Sequence, residues 1–170
     1  MKFDHIRAAK RISSPLGDIV LAASDSGLCG LWFEGQKHQP QLDGKLFVVC
    51  SHALAQAEAQ VNAWFRGELN HFQMRLDLSA GTSFQQAVWR ALQDIPIGQT
   101  RSYSAISQQI DQAGASRAVG AAIGRNPISL IVPCHRVLGA SGGLTGYAGG
   151  LERKIALLER EGAPCKSTHR

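Results

Sequence analysis

Hydrophobic spacing changes character near residue 80, and that change limits the folds open to the chain. Before it, short apolar segments at 12–16, 19–23 and 28–33 are separated by Pro15, Gly17 and the turn signal Ser24-Asp25-Ser26-Gly27, the pattern of a β-hairpin or meander. Ser51 is placed to cap a helix whose apolar residues Leu54, Ala57, Val61, Trp64 and Phe65 keep a 3.6-residue spacing until Gly67. Phe72, Met74, Leu76 and Leu78 alternate with polar residues and read as one more strand. After Ser79-Ala80-Gly81-Thr82 the pattern becomes helical. Ser83 and Gln86 make a capping-box signature for a helix over 84–94. Residues 104–110 and a stretch from Ser116, read as a cap, to about Gly124 form two short helices around a turn at 111–115, a helix-turn-helix candidate. Leu151, Ile155 and Leu158 share one face of a last helix that Gly162 would end. The expected class is α+β: a small N-terminal domain (1–80) with an antiparallel sheet and a helix, then a mainly helical C-terminal domain (81–170).

Charge divides at the same place. Residues 1–80 hold eight Lys/Arg against eight Asp/Glu, and residues 81–170 hold ten against five, so the second half carries the whole net excess of +5. A polyanion would meet that half, although a merely basic surface gives the same count. No apolar run approaches the roughly 20 residues of a membrane span, and the start Met1-Lys2-Phe3-Asp4 lacks the apolar stretch of a signal peptide. The expectation is a cytoplasmic protein with no membrane partner. Cys29, Cys50, Cys134 and Cys165 have no Cys-x-x-Cys spacing and suit a reducing compartment.

One of these cysteines stands apart. Pro133-Cys134-His135-Arg136-Val137 places a thiol beside an imidazole just after the apolar run 128–132, which reads as a strand that Pro133 would halt. Only the thiolate is a strong nucleophile, so a neighbouring proton acceptor matters. An isolated Cys-His pair is more often a buried structural cysteine. The surroundings reverse that reading.

Gly81-Thr82-Ser83-Phe84-Gln85 with Val88-Trp89, Ile95-Pro96-Ile97-Gly98 with Ser102-Tyr103, Ser116-Arg117-Ala118-Val119-Gly120, Arg125-Asn126-Pro127 and the Pro-Cys-His-Arg-Val core follow one another in order. Thr145-Gly146-Tyr147-Ala148-Gly149-Gly150, Lys154 and Glu161-Gly162 complete the set. Together these blocks resemble the O6-alkylguanine-DNA alkyltransferases, also called methylated-DNA-protein-cysteine methyltransferases. The resemblance spans about eighty residues, and the first eighty match only loosely. A related group of lesion-binding proteins carries tryptophan at the reactive position; this chain has Cys134.

The resemblance implies DNA repair by direct, irreversible transfer of the alkyl group from O6-alkylguanine to Cys134 after nucleotide flipping, one turnover per molecule. O4-alkylthymine is left open as a second substrate. It assigns Glu161 to His135, His135 through a water to Cys134, and Asn126 to bracing the active-site turn. It lays the second short helix in the minor groove with Arg117 as the wedge and Ala118, Gly120 and Ala121 as small residues against the DNA. The composition agrees with that role: small side chains let the backbone approach a groove without choosing a sequence, and only Arg117 on that helix could read a base edge. Tyr103 would press on the rotating phosphate. The substrate pocket falls to Tyr103, Ile123, Val137, Tyr147, Ala148, Gly149 and Lys154. No cofactor is implied and no metal is expected at the site, although some members of that family hold a structural zinc in the N-terminal region, which is left open here. The partner is double-stranded DNA containing alkylated bases, bound by a monomer, with cooperativity along DNA left open.

Three rivals remain. A non-catalytic lesion sensor could use the same pocket, but Cys134 argues against it. A thiol hydrolase has suitable residue types, yet cysteine and histidine adjacent in sequence rarely reach direct hydrogen-bond geometry. A zinc module from His5, Cys29, His38 and Cys50 matches no common ligand spacing.

Overall fold

The computed structural model describes residues 3–42 and 51–164. By contacts the chain divides into two compact units, Met1–Ala80 with Pro127–Ile131, and Gly81–Asn126 with Val132–Arg170. The fold class is α+β as expected, but the chain passes between the units more often than one boundary requires.

In the first unit, β1 (Ala8–Ile12), β2 (Ile19–Ser24) and β3 (Gly27–Phe33) form an antiparallel sheet in that order. The central strand is buried along Ile19, Val20, Leu21, Ala22 and Ala23, because it has a neighbour on each side and apolar cover on each face. Ile6, Ala9, Val20, Ala22, Cys29 and Trp32 pack into one cluster. The β2–β3 register slips between Ala22 and Ala23, which pair with Gly30 and Leu28, so Cys29 is the extra residue of a bulge. Gly30 must be glycine: a Cβ there would lie 2.0 Å from the Trp32 ring. Helix α1 (His52–Phe65), capped by Ser51, packs on all three strands and buries Leu54, Ala57, Val61, Trp64 and Phe65. Each such large side chain contributes about 1.5–3 kcal/mol of transfer free energy.

Two expectations for this unit are corrected. The first strand lies at Ala8–Ile12, not 12–16, because Ser13 to Asp18 form the connection, with Ser14 Oγ bonding the Gly17 carbonyl. The alternating stretch at 72–78 contributes only an isolated parallel bridge, Leu28 to Leu76. There Gln73 is instead taken up by the side chains of Gln56 and Gln60.

In the second unit, α2 (Ser83–Gln93), α3 (Tyr103–Gln109) and α4 (Ser116–Ile123) pack on one another, and α5 (Leu151–Arg160) follows. The capping box of α2 is made by Thr82 and Gln85, one residue earlier than Ser83 and Gln86. Ser116 is the first helical residue of α4; the cap position is Ala115 and no side chain caps it. Trp89 Nε1 donates to the Ala122 carbonyl at 2.9 Å, tying α2 to α4. A short parallel pair, β4 (Arg101–Ser102) with β5 (Val137–Leu138), joins the chain entering α3 to the chain leaving Cys134. Two residues carry no legible alternation, so sequence spacing could not reveal it. Among the described residues no helix is long and apolar enough to cross a membrane.

Candidate active site

The stretch before Cys134 is not a strand. Ile128 makes a single bridge to Leu31 within the first unit, and the chain then turns through Leu130, buried at φ 70°. A bulky residue in the left-handed region costs on the order of 1–3 kcal/mol and persists only where surroundings hold it. Asn126 supplies part of that hold, its Nδ2 donating to the Val132 carbonyl at 2.8 Å. The chain thus leaves the second unit after Asn126 and returns at Val132 with those two residues bonded. Cys134 to Arg136 form one 3₁₀ turn, so Pro133 precedes a helical turn rather than ending a strand.

Cys134 is 4% exposed. Burial pushes its thiol pKa up; a hydrogen bond from Asn126 Nδ2 at 3.1 Å, the Lys154 charge, its own backbone and the Tyr147 hydroxyl all pull it down. At rest the group is a thiol with donors already aimed at the thiolate it could become.

His135 is fully buried, with Nε2 2.9 Å from Glu161 Oε1. Glu161 is the C-cap of α5, followed by Gly162 at φ 65°, the left-handed conformation that lets the chain turn away there. Burial raises the Glu161 carboxyl, but hydrogen bonds from His135 and Arg136 outweigh it and hold the group at about 2. As an anion Glu161 can only accept, so Nε2 carries the ring proton. Nδ1 is then the basic lone pair, and among the described residues it is buried without a hydrogen-bond partner. Burial also lowers the His135 pKa, against the opposing pull of Glu161. The ring is a neutral base at neutral pH. No hydrogen bond joins it directly to Cys134 among the described residues.

The remaining expected residues fall into groups. Arg117, Ala118 and Ala121 lie exposed on one side of α4, whereas Val119, Ala122 and Ile123 are buried. Gly120 is half-buried; a Cβ there would sit 3.6 Å from the Tyr103 ring, so the tyrosine lies over α4. Tyr103 shares a hydrogen bond of 2.7 Å with Thr145 Oγ1. Tyr147 and Ala148 are half-buried and Gly149 is buried. Val137 is fully buried in β5. Lys154 is 1% exposed, its Nζ donating to the carbonyls of Val137 at 2.7 Å and Thr145 at 3.2 Å. Burial lowers its pKa to about 8. Lys154 therefore ties the loop at Thr145 to β5 as well as adding charge near Cys134.

Two contributors were missed as actors. Arg136 grips Glu161 through Nε to Oε2 and Nη2 to Oε1, each at 2.8 Å, and also donates to the Ile95 carbonyl. Thr145 holds both Tyr103 and Lys154. Both lie within the matched blocks, Arg136 in the Pro-Cys-His-Arg-Val core and Thr145 at the head of the Thr-Gly-Tyr block, but neither has a local spacing that shows its partners. Of the four ligands imagined for zinc, Cys50 lies outside the described residues, and no group of three or more metal-binding side chains occurs among the described residues.

The chain is similar to known proteins over most of its length. Residues 83–163 match the family model described as the 6-O-methylguanine DNA methyltransferase DNA binding domain, and residues 10–78 match that of the ribonuclease-like domain of the same protein. The methylated-DNA–protein-cysteine methyltransferase of Mycobacterium leprae is 50% identical over 152 residues, covering 89% of this chain and 90% of its own. That of Methanosarcina acetivorans is 46% identical over 88% of this chain and 95% of its own. Among solved structures, Mycobacterium tuberculosis OGT in complex with DNA superimposes with a TM-score of 0.82 at 50% identity, covering 92% of this chain and 95% of that one. The protein from Pyrococcus kodakaraensis, 22% identical with a TM-score of 0.61, shares the fold. The chain belongs to the 6-O-methylguanine DNA methyltransferase family. It is an enzyme of the methylated-DNA–protein-cysteine S-methyltransferase class, and its work is repair of alkylated DNA.

Proposed function

We propose that the protein removes alkyl groups from O6-alkylguanine in double-stranded DNA by one irreversible transfer to Cys134. The observation that carries this reading is the arrangement around that thiol: donors from Asn126 on the sulfur, and a neutral His135 whose open Nδ1 is fixed by the anionic Glu161. The Cys134 proton passes to a water, which gives one of its own to Nδ1. The resulting imidazolium is stabilised by Glu161 and the thiolate by Asn126 and Lys154. Sulfur attacks the alkyl carbon as the carbon–O6 bond breaks; the bond electrons go to the guanine oxygen, and the base is released as its anion, which takes a proton from solvent. The thioether product has no hydrolytic route here, so each molecule acts once.

Residues 81–170 act in this reading as the DNA-binding and catalytic domain, with α3 and α4 as a helix-turn-helix. The exposed line of Arg117, Ala118 and Ala121 lies against the minor groove, and Arg117 fills the stack that the flipped nucleotide vacates. Flipping costs a few kcal/mol, less where the alkyl group has already weakened pairing. Tyr103 bears on the rotated phosphate; Ile123, Val137, Tyr147, Ala148 and Gly149 shape the pocket. O4-alkylthymine could enter the same pocket. The protein acts as a monomer in the cytoplasm, with no cofactor. A lesion sensor without chemistry would need neither the thiol nor the base behind it.

Intact-protein mass spectrometry tests the reading. Mixed with duplex DNA containing O6-methylguanine, the protein should gain one methyl group on Cys134 and no second one. Arg117→Ala should slow that gain on duplex DNA by about tenfold or more while leaving transfer from free O6-benzylguanine near wild type. No mass gain, or equal losses on both substrates, would overturn respectively the transfer and the role of Arg117.

A further inference from the structure

The cluster behind Cys134 holds a charge that a thiol-to-imidazole proton path does not by itself need. Arg136 is 8% exposed, and its guanidinium spans both oxygens of Glu161, which is also the partner of His135. A fork on both oxygens fixes the carboxylate plane, and the further bond to the Ile95 carbonyl fixes the fork. We propose that Arg136 is a positioning residue for the alkyl transfer: as the counter-charge to Glu161 it keeps the His135–Glu161 pair free of a proton, so that Nδ1 is open when Cys134 must ionise. This inference rests on the reading of Cys134 as the acceptor.

Arg136, Glu161 and His135 are all buried, so their charges must balance among themselves. Arg136 is +1, Glu161 is −1 and His135 is neutral, so the three sum to zero. Without Arg136 the same pocket would carry −1, and an uncompensated buried carboxylate is strongly disfavoured. The pair would restore neutrality by binding a proton. That proton has two resting places: on His135, making imidazolium beside carboxylate, or on Glu161, donating to Nε2 and forcing the ring proton onto Nδ1. Nδ1 is occupied in both cases. The base that must receive the Cys134 proton is then already filled.

Other charges facing this cluster do not replace Arg136. Lys154, from α5, acts on His135 in the same direction, but its Nζ is committed to the carbonyls of Val137 and Thr145 and touches neither oxygen of Glu161. Cys134 is the group to be ionised. Helix α2 packs against this turn, and its one charged side chain, Arg90, is exposed and bonds Gln86. Arg101, in the strand beside Val137, is exposed. Asp94 at the end of α2 and Glu152 and Glu159 of α5 are exposed, so Glu161 is the buried acid here, and Arg136 is the cation that bonds both its oxygens.

The test is the pH dependence of benzyl transfer from free O6-benzylguanine to Cys134, read as a single-turnover rate in the full chain. Arg136→Gln should move the acid limb of the profile up by about one pH unit or more, slowing the reaction about tenfold near neutral pH and recovering toward wild type at higher pH. Arg136→Lys, which keeps the charge, should leave the limb within a few tenths of a unit of wild type. A uniform slowing with an unmoved limb would show only a structural role and overturn the proposal. Should Arg136→Gln fail to fold, the unsubstituted protein still decides: nitrogen-15 NMR should find His135 still neutral, with its proton on Nε2, at a pH where an ordinary histidine is protonated, and an imidazolium at pH 7 would overturn the idea. Wild type that leaves Cys134 unmodified at every pH would instead break the transfer reading, and the His135 tautomer would still judge Arg136.

Discussion

Cys29 and Cys134 are buried to nearly the same degree, at 0% and 4% exposure, and they have opposite surroundings. Cys29 occupies a strand bulge among Ile6, Ala9, Val20, Ala22 and Trp32, and burial together with the Asp77 charge pushes its thiol up to about 12. Cys134 is also raised by burial, yet faces an amide donor, an ammonium group, a phenol and, one residue on, an imidazole bonded to Glu161. Low exposure therefore does not separate an inert thiol from a reactive one. The separation lies in which groups are turned toward the sulfur and whether a base stands ready for its proton.

The largest expected effect tests that contrast directly. Cys134→Ala should abolish alkyl transfer while leaving lesion binding measurable, and Cys29→Ala should leave the transfer rate within about twofold of wild type, its cost appearing as roughly 1–2 kcal/mol of stability from the lost packing. Peptide mapping after reaction with O6-benzylguanine checks both. Alkyl groups found on Cys29 would end the comparison.

Asn126 sharpens it. Asn126→Ala removes the donor on Cys134 and makes the sulfur's surroundings more like those of Cys29. The loss of one hydrogen bond to a developing thiolate, worth about 1.5–3 kcal/mol, should slow transfer about tenfold to a hundredfold. The buried Val132 carbonyl loses the same donor, so the melting temperature should also fall. Asn126→Asp should be slower than Asn126→Ala, because a carboxylate there opposes the thiolate. A rate for Asn126→Asp above that of Asn126→Ala would show that Asn126 only braces the turn.

The two regions also differ in how much the chain discloses in advance. The sheet and α1 are legible because apolar alternation and 3.6-residue spacing are cumulative signals, and a strand register displaced by a few residues does not change the class. The segment 128–132 misleads for a physical reason: Ile128, Leu130, Ile131 and Val132 are all buried, so hydropathy reads as a strand, while Leu130 in fact turns the chain at positive φ. Periodicity cannot distinguish a buried turn from a buried strand over five residues. The Cys134–His135 pair, Asn126 and Glu161 are recoverable from motif spacing and resemblance. Arg136 and Thr145 act through contacts made only after folding, with residues 25 and 42 positions away, and no local pattern encodes those partners.

The smallest expected difference concerns one carboxylate from each unit. Glu161, held at about 2 against 4.5 for a free carboxyl, contributes stability that is present above about pH 4.5 and lost as pH falls toward 2. Asp77 is also lowered: burial raises it, but bonds from Ser24 and Ser79 and the charge of His5 prevail. Its contribution has the same sign and is likewise lost on acidification. Glu161→Gln should reduce stability at neutral pH, since it leaves Arg136 buried without its counter-charge, and should flatten the decline below pH 4.5. Asp77→Asn should flatten it less, because neutral hydroxyl and amide donors account for most of its hold. Unfolding of each unit, followed by amide hydrogen exchange at pH 3 to 6, separates the two. If Asp77→Asn removed more of the acid dependence than Glu161→Gln, the stronger electrostatic commitment would lie in the sheet around Cys29, and the contrast between the two cysteines could not be attributed to the charges gathered behind Cys134.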